Sequence, residues 1–120
     1  MVVAAVDPNK KDLKLLVKYL RLAFPGCEVV MFTDSEAAAA YMTETPIDVL
    51  YTEVAMLGMT GFALQAAAES VQPAILTVFV TETDAYAGKA IQTRATDYIL
   101  KPVTKQAVLD SMSNTKFAYM

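Results

Sequence analysis

Five short apolar runs divide the chain. They lack clean alternation of apolar and polar positions, and they span residues 1–6, 27–32, 47–52, 74–80 and 97–100. Continuous apolar runs of about four to eight residues between turn-forming residues are typical of strands covered on both faces. The pattern therefore predicts five strands, and those at 1–6, 47–52 and 74–80 are expected to be buried.

The segments between these runs have the spacing of amphipathic helices. In the first segment the stop signal Pro25-Gly26 follows an apolar face made of Leu13, Leu16, Val17, Leu20 and Phe24. Further helices are expected at 35 to about 42, at 61–70, at 85 to about 94 and from 105 onward. The residues expected to cap three of them are Asp34 or Ser35, Thr83 or Asp84, and Thr104.

Alternating strands and helices with short loops predict a parallel sheet with helices on both faces, because parallel neighbours need right-handed crossovers. The expected fold class is α/β, a flavodoxin-like three-layer αβα arrangement with five parallel strands in the order 2-1-3-4-5 and five helices. The 120-residue length suits one domain, and no repeat or linker interrupts the pattern. Residues 1–120 are therefore expected to form a single domain.

Four polar residues stand at the ends of separate predicted strands: Asp7, Glu53, Thr81 and Lys101. In the predicted strand order the carboxyl ends of strands one, three, four and five meet at one edge, where ligands bind in open α/β sheets. Taken alone, Glu53 could equally be an ordinary solvated loop residue. Because each of these four polar residues stands at the end of a separate apolar strand, chance is an unlikely explanation. We therefore interpret this edge of the sheet as the functional site.

Composition excludes several function classes. The chain has a net charge of -3, no histidine and one cysteine, Cys27. The absence of histidine excludes His-dependent triads and imidazole metal sites, and the acidic balance argues against direct nucleic-acid binding. A single cysteine cannot form an internal disulfide and fits a cytoplasmic location. No basic region precedes the first apolar run and no run approaches a membrane span, so we expect neither a signal peptide nor membrane insertion.

Short motifs lie at the ends of the predicted strands. They are Ala5-Val6-Asp7, Phe32-Thr33-Asp34, Asp48-Val49-Leu50, the loop 56–61, Val80-Thr81 and, most specific of all, Asp97-Tyr98-Ile99-Leu100-Lys101-Pro102-Val103. On these residues the chain resembles the CheY-like receiver domain of two-component response regulators, from Val2 to about Met112. The last motif is similar in style to receivers that precede LytTR-type DNA-binding domains.

The resemblance implies roles for individual residues. In the family, acids after the first strand and an Asp after the third hold Mg²⁺, and that Asp accepts a phosphoryl group from a histidine kinase. A Ser/Thr and a Lys contact the phosphoryl oxygens, and an aromatic residue turns inward on activation. Position by position, these roles fall to Asp7, Glu53, Thr81, Lys101 and Tyr98, with a cis peptide expected before Pro102. The implied metal ligands are Asp7 and Glu53.

The chain departs from the family pattern at this site. Pro8 stands where a second acid belongs, so any Mg²⁺ site is expected to be weak or absent. Glu53 replaces Asp, and its extra methylene extends the carboxylate by about 1.5 Å toward Lys101. Glu82 puts a bulky acid where a small residue is usual, which would repel a phosphoryl group. We read Leu57 in place of Pro and Arg94 in place of Gly as local backbone variation.

These departures favour a receiver-like signalling module that is not an enzyme and does not need phosphorylation. In this hypothesis Glu53 pairs with Lys101, imitates the phosphorylated charge arrangement and holds Thr81 and Tyr98 near one switch state. The simplest alternative is that the charges of Glu53 and Lys101 are retained structural remnants without a signalling role. A conventional phosphorelay receiver that uses Glu53, Thr52 or Thr81 is another, and a small flavodoxin-like cofactor-binding protein is a third.

The expected partners are proteins, namely a histidine kinase or an output domain. In the family the fourth helix, fifth strand and fifth helix form the contact surface. In this chain it would run from Tyr86 to Met112 and would include Ala90, Ile91 and Lys105. A homodimer through this face is one expectation. Helical spacing favours inward packing for Ile91 and Met112.

Overall fold

The strands and helices follow the alternation expected from the sequence. The computed structural model describes residues 1–118, apart from the side chains of residues 112 and 114–118. Its strands are Val2–Val6 (β1), Glu28–Phe32 (β2), Val49–Thr52 (β3), Leu76–Thr81 (β4) and Asp97–Leu100 (β5). Its α-helices are Lys10–Ala23 (α1), Ser35–Glu44 (α2), Gly61–Val71 (α3), Ala87–Gln92 (α4) and Lys105–Ala118 (α5), and a 3₁₀ turn, Asp84–Tyr86, precedes α4.

All five strands are parallel and lie in the order β2-β1-β3-β4-β5. The predicted flavodoxin-like topology is therefore confirmed. β1 lies between β2 and β3, with Val6 beside Phe32 on one side and Thr52 on the other. This register brings the carboxyl ends of β1, β3, β4 and β5 to one edge of the sheet.

Helices cover both faces of the sheet, and each face has its own core. Apolar residues of α1 and α5 meet one face, and this core contains Val3, Ala5, Leu13, Leu16, Val17, Leu20, Phe24, Val49, Tyr51, Val78, Val80, Ile99, Val103 and Val108. Residues of α2 and α3 meet the other face, in a core of Ala4, Val6, Ala38, Met42, Ile47, Leu50, Leu64, Ala68 and Ile75. The apolar face predicted for α1 is fully buried. In the part of the chain that the structure describes, no helix has the length and apolar character needed to cross a bilayer.

Three capping predictions are confirmed in the structure. Asp34 accepts a hydrogen bond from the backbone of Glu36, Thr83 from that of Ala85, and Thr104 from that of Ala107. β3 starts at Val49, two residues later than expected. The Ile47 N–H donates to the side chain of Gln72, at 2.6 Å, and the first bond to β1 is that of the Asp48 N–H to the Val2 carbonyl, at 2.9 Å.

The predicted helix at 85–94 is shorter than expected. A 3₁₀ turn takes its first residues, α4 ends at Gln92, and Arg94 adopts a left-handed backbone with φ of 61°. Arg94 thus occupies a conformation that favours glycine, at the position where the family commonly has one.

The inward packing expected for Ile91 is wrong, since this side chain is 78% exposed. Ala90 is the buried position of α4, and the next residue is rotated by about 100° around the helix. The prediction for the Met112 side chain lies outside the described residues.

Candidate functional site

Three charged residues at the predicted edge are held by their own backbone. Asp7, Glu53 and Lys101 are each the first residue after a strand. The Asp7 N–H donates to the carbonyl of Phe32, the Glu53 N–H to that of Val6, and the Lys101 N–H to that of Thr81. Each residue thus extends the sheet ladder by one hydrogen bond, and its side chain starts from a fixed position.

The Lys101 side chain lies at the centre of this edge. Its Nζ is 2.8 Å from Asp7 Oδ2, 2.9 Å from Glu53 Oε1 and 3.0 Å from Asp12 Oδ2. An ammonium group has three N–H donors, so the three carboxylates satisfy it completely. We call these four residues the carboxylate–lysine cluster. The Lys101–Pro102 peptide is cis, as expected from the motif.

The cluster is largely shielded from water. The Lys101 side chain is 8% exposed, and those of Asp7 and Glu53 are similarly buried, whereas the Asp12 side chain is 34% exposed. Burial raises the pKa of Asp7, although hydrogen bonds from Lys101 and the Asn9 backbone act in the opposite direction. Burial alone would lower the pKa of Lys101, but its hydrogen bonds to the three carboxylates outweigh burial and raise it. The ammonium therefore keeps its charge far above neutral pH.

Both carboxylate oxygens of Glu53 are engaged. Oε1 faces Lys101, and Oε2 accepts a hydrogen bond from the Val54 N–H at 2.6 Å. The start of α3 presses against the same peptide, because a Cβ at Gly61 would lie 2.3 Å from the Glu53 carbonyl oxygen. Only glycine permits this approach. The loop after β3 thus directs the Glu53 side chain toward Lys101.

Thr81 and Tyr98 lie near the cluster without joining its ion pairs. Thr81 is buried at the end of β4, and its carbonyl accepts the Lys101 N–H at 2.8 Å. Tyr98 is half-buried and packs against the cluster of Val54, Phe79 and Ala90. Its hydroxyl donates to the carbonyl of Thr83 in the loop after β4. The ring is therefore held between these apolar residues and the loop after β4.

The oxygens available for Mg²⁺ have other partners. Asp7 Oδ2 and Glu53 Oε1 face the Lys101 ammonium, while Asp7 Oδ1 accepts from the Asn9 N–H at 2.9 Å. Pro8 offers no side-chain ligand. Among the described residues, no group of three or more acidic or cysteine side chains is placed to hold a metal ion. Octahedral Mg²⁺ requires oxygens directed at one centre, and here a lysine ammonium takes that centre. The donor set as arranged does not fit Mg²⁺.

Asp12 was not recognised in the sequence as a site residue. It lies in the first turn of α1, where acids are common for reasons of helix stability, so its residue type gave no signal. A signal was present in its position, since Asp12 follows Pro8 by four residues and is the only acid among the lysines of α1. With Glu82, Lys101 and Pro102 it also lines an open cleft of about 340 Å³.

Residues 3–113 match the model of the response regulator receiver domain. The chain belongs to the response regulator receiver family. Receivers of this family exchange signals with histidine kinases and output domains in two-component systems.

Curated relatives and solved structures resemble this receiver. The sensory transduction protein LytR of Streptococcus agalactiae is 28% identical over 89% of the chain, and LytT of Enterococcus faecalis is 34% identical over 77%. The aligned regions make up 43% and 38% of these relatives, so the chain spans less than half their length. The response regulatory domain of mrkE from Klebsiella pneumoniae has the same fold, with a TM-score of 0.89, 20% identity and coverage of 99% and 98% of the two chains.

Removing the central ammonium should leave buried carboxylates without a counter-charge. We expect Lys101→Met to lower the free energy of unfolding at pH 7 by about 3 kcal/mol. Burial already raises the pKa of Asp7, and without Lys101 it rises further above its unfolded value, so the folded variant takes up a proton as the pH falls. The deficit relative to wild type should therefore shrink toward about pH 4.5. Urea denaturation at both pH values measures it.

Lys105→Met is the matched control, because Lys105 is exposed and the substitution removes the same positive charge. Its free energy of unfolding should stay within about 0.5 kcal/mol of wild type. Equal stability of the two variants at pH 7, or a Lys101→Met deficit that grows as the pH falls, would contradict the account.

Proposed function

We propose that this receiver is a phosphorylation-independent signalling module, not an enzyme, and that it acts through protein–protein contacts. The observation that carries the proposal is the ion pair of 2.9 Å between Lys101 Nζ and Glu53 Oε1. Glu53 occupies the phosphoacceptor position of the family, and Lys101 the position that contacts phosphoryl oxygens. The longer acidic side chain thus supplies an anionic oxygen to the lysine without a transferred group.

The position of Tyr98 supports a constitutive switch state. In the family the aromatic residue at this position turns inward on activation. Here the ring packs on Phe79 and Ala90, and the hydroxyl is bonded to the Thr83 carbonyl. A Tyr98 ring held in this way beside an occupied lysine supports the hypothesis of one fixed switch state.

The electrostatics of the site support the loss of phosphoryl transfer. Transfer depends on a metal ion and a free cation that neutralise the charge of the phosphoryl group. In this receiver Pro8 brings no metal ligand, and Lys101 is shared among three carboxylates. Exposed Glu82 adds a further negative charge at the mouth of the cleft. Mg²⁺ binding in this proposal is weak or absent, and no other cofactor is required.

The proposed partner surface comprises α4, β5 and α5, from Tyr86 to Met112. A groove lined by Ala87, Ala90, Ile91 and Tyr98 runs between α4 and β5, and Ile91 projects at its rim. We propose that this face contacts a second copy of the receiver or an output domain of the LytTR type, in the cytoplasm. The similarity to LytR and LytT supports such an output domain.

Phosphorylation tests the proposal directly. After incubation with Mg²⁺ and acetyl phosphate, wild-type protein should keep its intact mass, whereas the Pro8→Asp, Glu53→Asp double variant should gain one phosphoryl group. The double variant restores the second metal ligand and shortens the acceptor side chain, while Thr81 and Lys101 remain. Intact-mass spectrometry measures the difference.

A Pro8→Asp, Glu53→Ala variant is the control, because it restores the metal ligand without an acceptor and should stay unlabelled. A phosphoryl group on the wild-type protein would defeat the proposal and favour a conventional receiver. Mapping of the labelled residue would then distinguish Glu53 from Thr52 and Thr81.

Self-association tests the proposed surface. If the receiver dimerises through this face, Ile91→Glu should weaken the dimer by about tenfold, because it places a charge in an apolar contact. Leu57→Glu is the control, since Leu57 is 96% exposed in the loop after β3, outside the face. Sedimentation equilibrium gives the two constants. Equal dimer constants for the two variants would exclude Ile91 from the interface.

A further inference from the structure

Asp12 contacts the cluster from a different element than its other members. Asp7 and Glu53 follow strands, whereas Asp12 belongs to the first turn of α1. Its Oδ2 lies 3.0 Å from Lys101 Nζ, and the two residues are 89 positions apart in the chain. The contact therefore links α1 to the segment that follows β5.

Helix stability alone does not account for the direction of this side chain. An acid in the first turn interacts favourably with the helix dipole, whichever way it points. Capping is already provided by Asn9, whose side-chain oxygen accepts from the Lys11 N–H at 3.0 Å and the Asp12 N–H at 3.1 Å. The Asp12 carboxylate is thus not needed as a cap, and it is hydrogen-bonded to Lys101.

The Asp12 contact compensates for a carboxylate that is missing elsewhere in the site. Pro8 removes a carboxylate from the loop after β1, and Asp12 returns one from four residues further along the chain. Pro8 lies in the loop before α1, and Asp12 lies in the first turn of that helix. With Asp12 in place, each N–H of the Lys101 ammonium has its own carboxylate acceptor.

We propose that Asp12 is a positioning residue that replaces the charge missing at Pro8 and fixes the Lys101 ammonium against Glu53. This inference rests on the proposed function, because holding Lys101 against Glu53 matters for signalling only if that ion pair sets the switch state. In the described part of the chain, Asp12 forms no hydrogen bond or ion pair with Tyr98 or Glu53, and it acts on the switch through Lys101. Lys101 held in this way is not free to turn toward an anion in the cleft that it lines with Asp12.

Exchange of the Lys101 ammonium protons tests this role. The side-chain ammonium of ¹³C,¹⁵N-labelled protein can be observed by NMR and assigned through the carbons of its own side chain. In Asp12→Asn its hydrogen exchange should accelerate by about three- to tenfold, because one of three charged acceptors is lost. Glu44→Gln is the control, since it removes the same charge from the exposed end of α2 and should leave the exchange rate unchanged.

A double-mutant cycle separates the Lys101 contact from the helix dipole. Asp12→Asn should reduce the folding equilibrium constant about three- to tenfold more in the presence of Lys101 than in a Lys101→Met background. A dipole effect alone would give the same reduction in both. Unchanged ammonium exchange in Asp12→Asn would overturn the proposal, and it is decisive even if Lys101→Met does not fold.

The phosphorylation experiment and the ammonium-exchange experiment distinguish failure of the proposed function from failure of the Asp12 role. If the ammonium responds as expected while the wild-type protein accepts a phosphoryl group, the proposed function is wrong and the positioning role of Asp12 stands. If the wild-type protein stays unlabelled and the ammonium does not respond, Asp12 has no positioning role and the proposed function survives.

Discussion

One buried ammonium organises the functional edge of this receiver. Lys101 Nζ is within 3.0 Å of carboxylate oxygens that come from the ends of β1 and β3 and from α1. Three carboxylates this close would repel one another in a site shielded from water, and the ammonium offsets that repulsion. The positions of Asp7, Asp12 and Glu53 therefore depend on Lys101. The net charge that an incoming ion would meet at this edge also depends on Lys101.

The fold explains why this cluster is well defined. Each strand that contributes to it is held by neighbours on both sides or by the ladder hydrogen bond that follows its last residue. Gly61 allows α3 to pack directly on the Glu53 peptide. On the opposite face Tyr51 of β3 shares a buried hydrogen bond of 2.8 Å with Ser111 of α5. The loop after β3 and the helix α5 are thus both attached to β3.

Much of this could be predicted from the sequence, because the information is local. β5 was predicted at its observed bounds, and the strand ends that carry Asp7, Glu53 and Lys101 follow from short apolar runs and parallel topology. The ion pair of Glu53 with Lys101 also agrees with the expectation that Glu, which is one methylene longer than Asp, reaches toward the lysine.

The features that were missed depend on tertiary geometry. Asp12 reaches Lys101 across the fold, and its position in α1 has an ordinary local explanation. Ile91 was placed on the wrong side because a six-residue helix contains too few positions to fix its phase from apolar spacing. The burial of Ser111 is likewise decided by its partner Tyr51, and a serine in a helix carries no sign of such a partner.

The central claim is that a lysine ammonium takes the place of a metal ion at this edge. A crystal structure of the wild-type protein grown in millimolar Mg²⁺ tests it most directly. The account predicts Lys101 Nζ within hydrogen-bond distance of Asp7, Asp12 and Glu53, with Tyr98 directed inward and no ion between the carboxylates. An octahedral Mg²⁺ bound to Asp7 and Glu53, with Lys101 displaced from them, would contradict it.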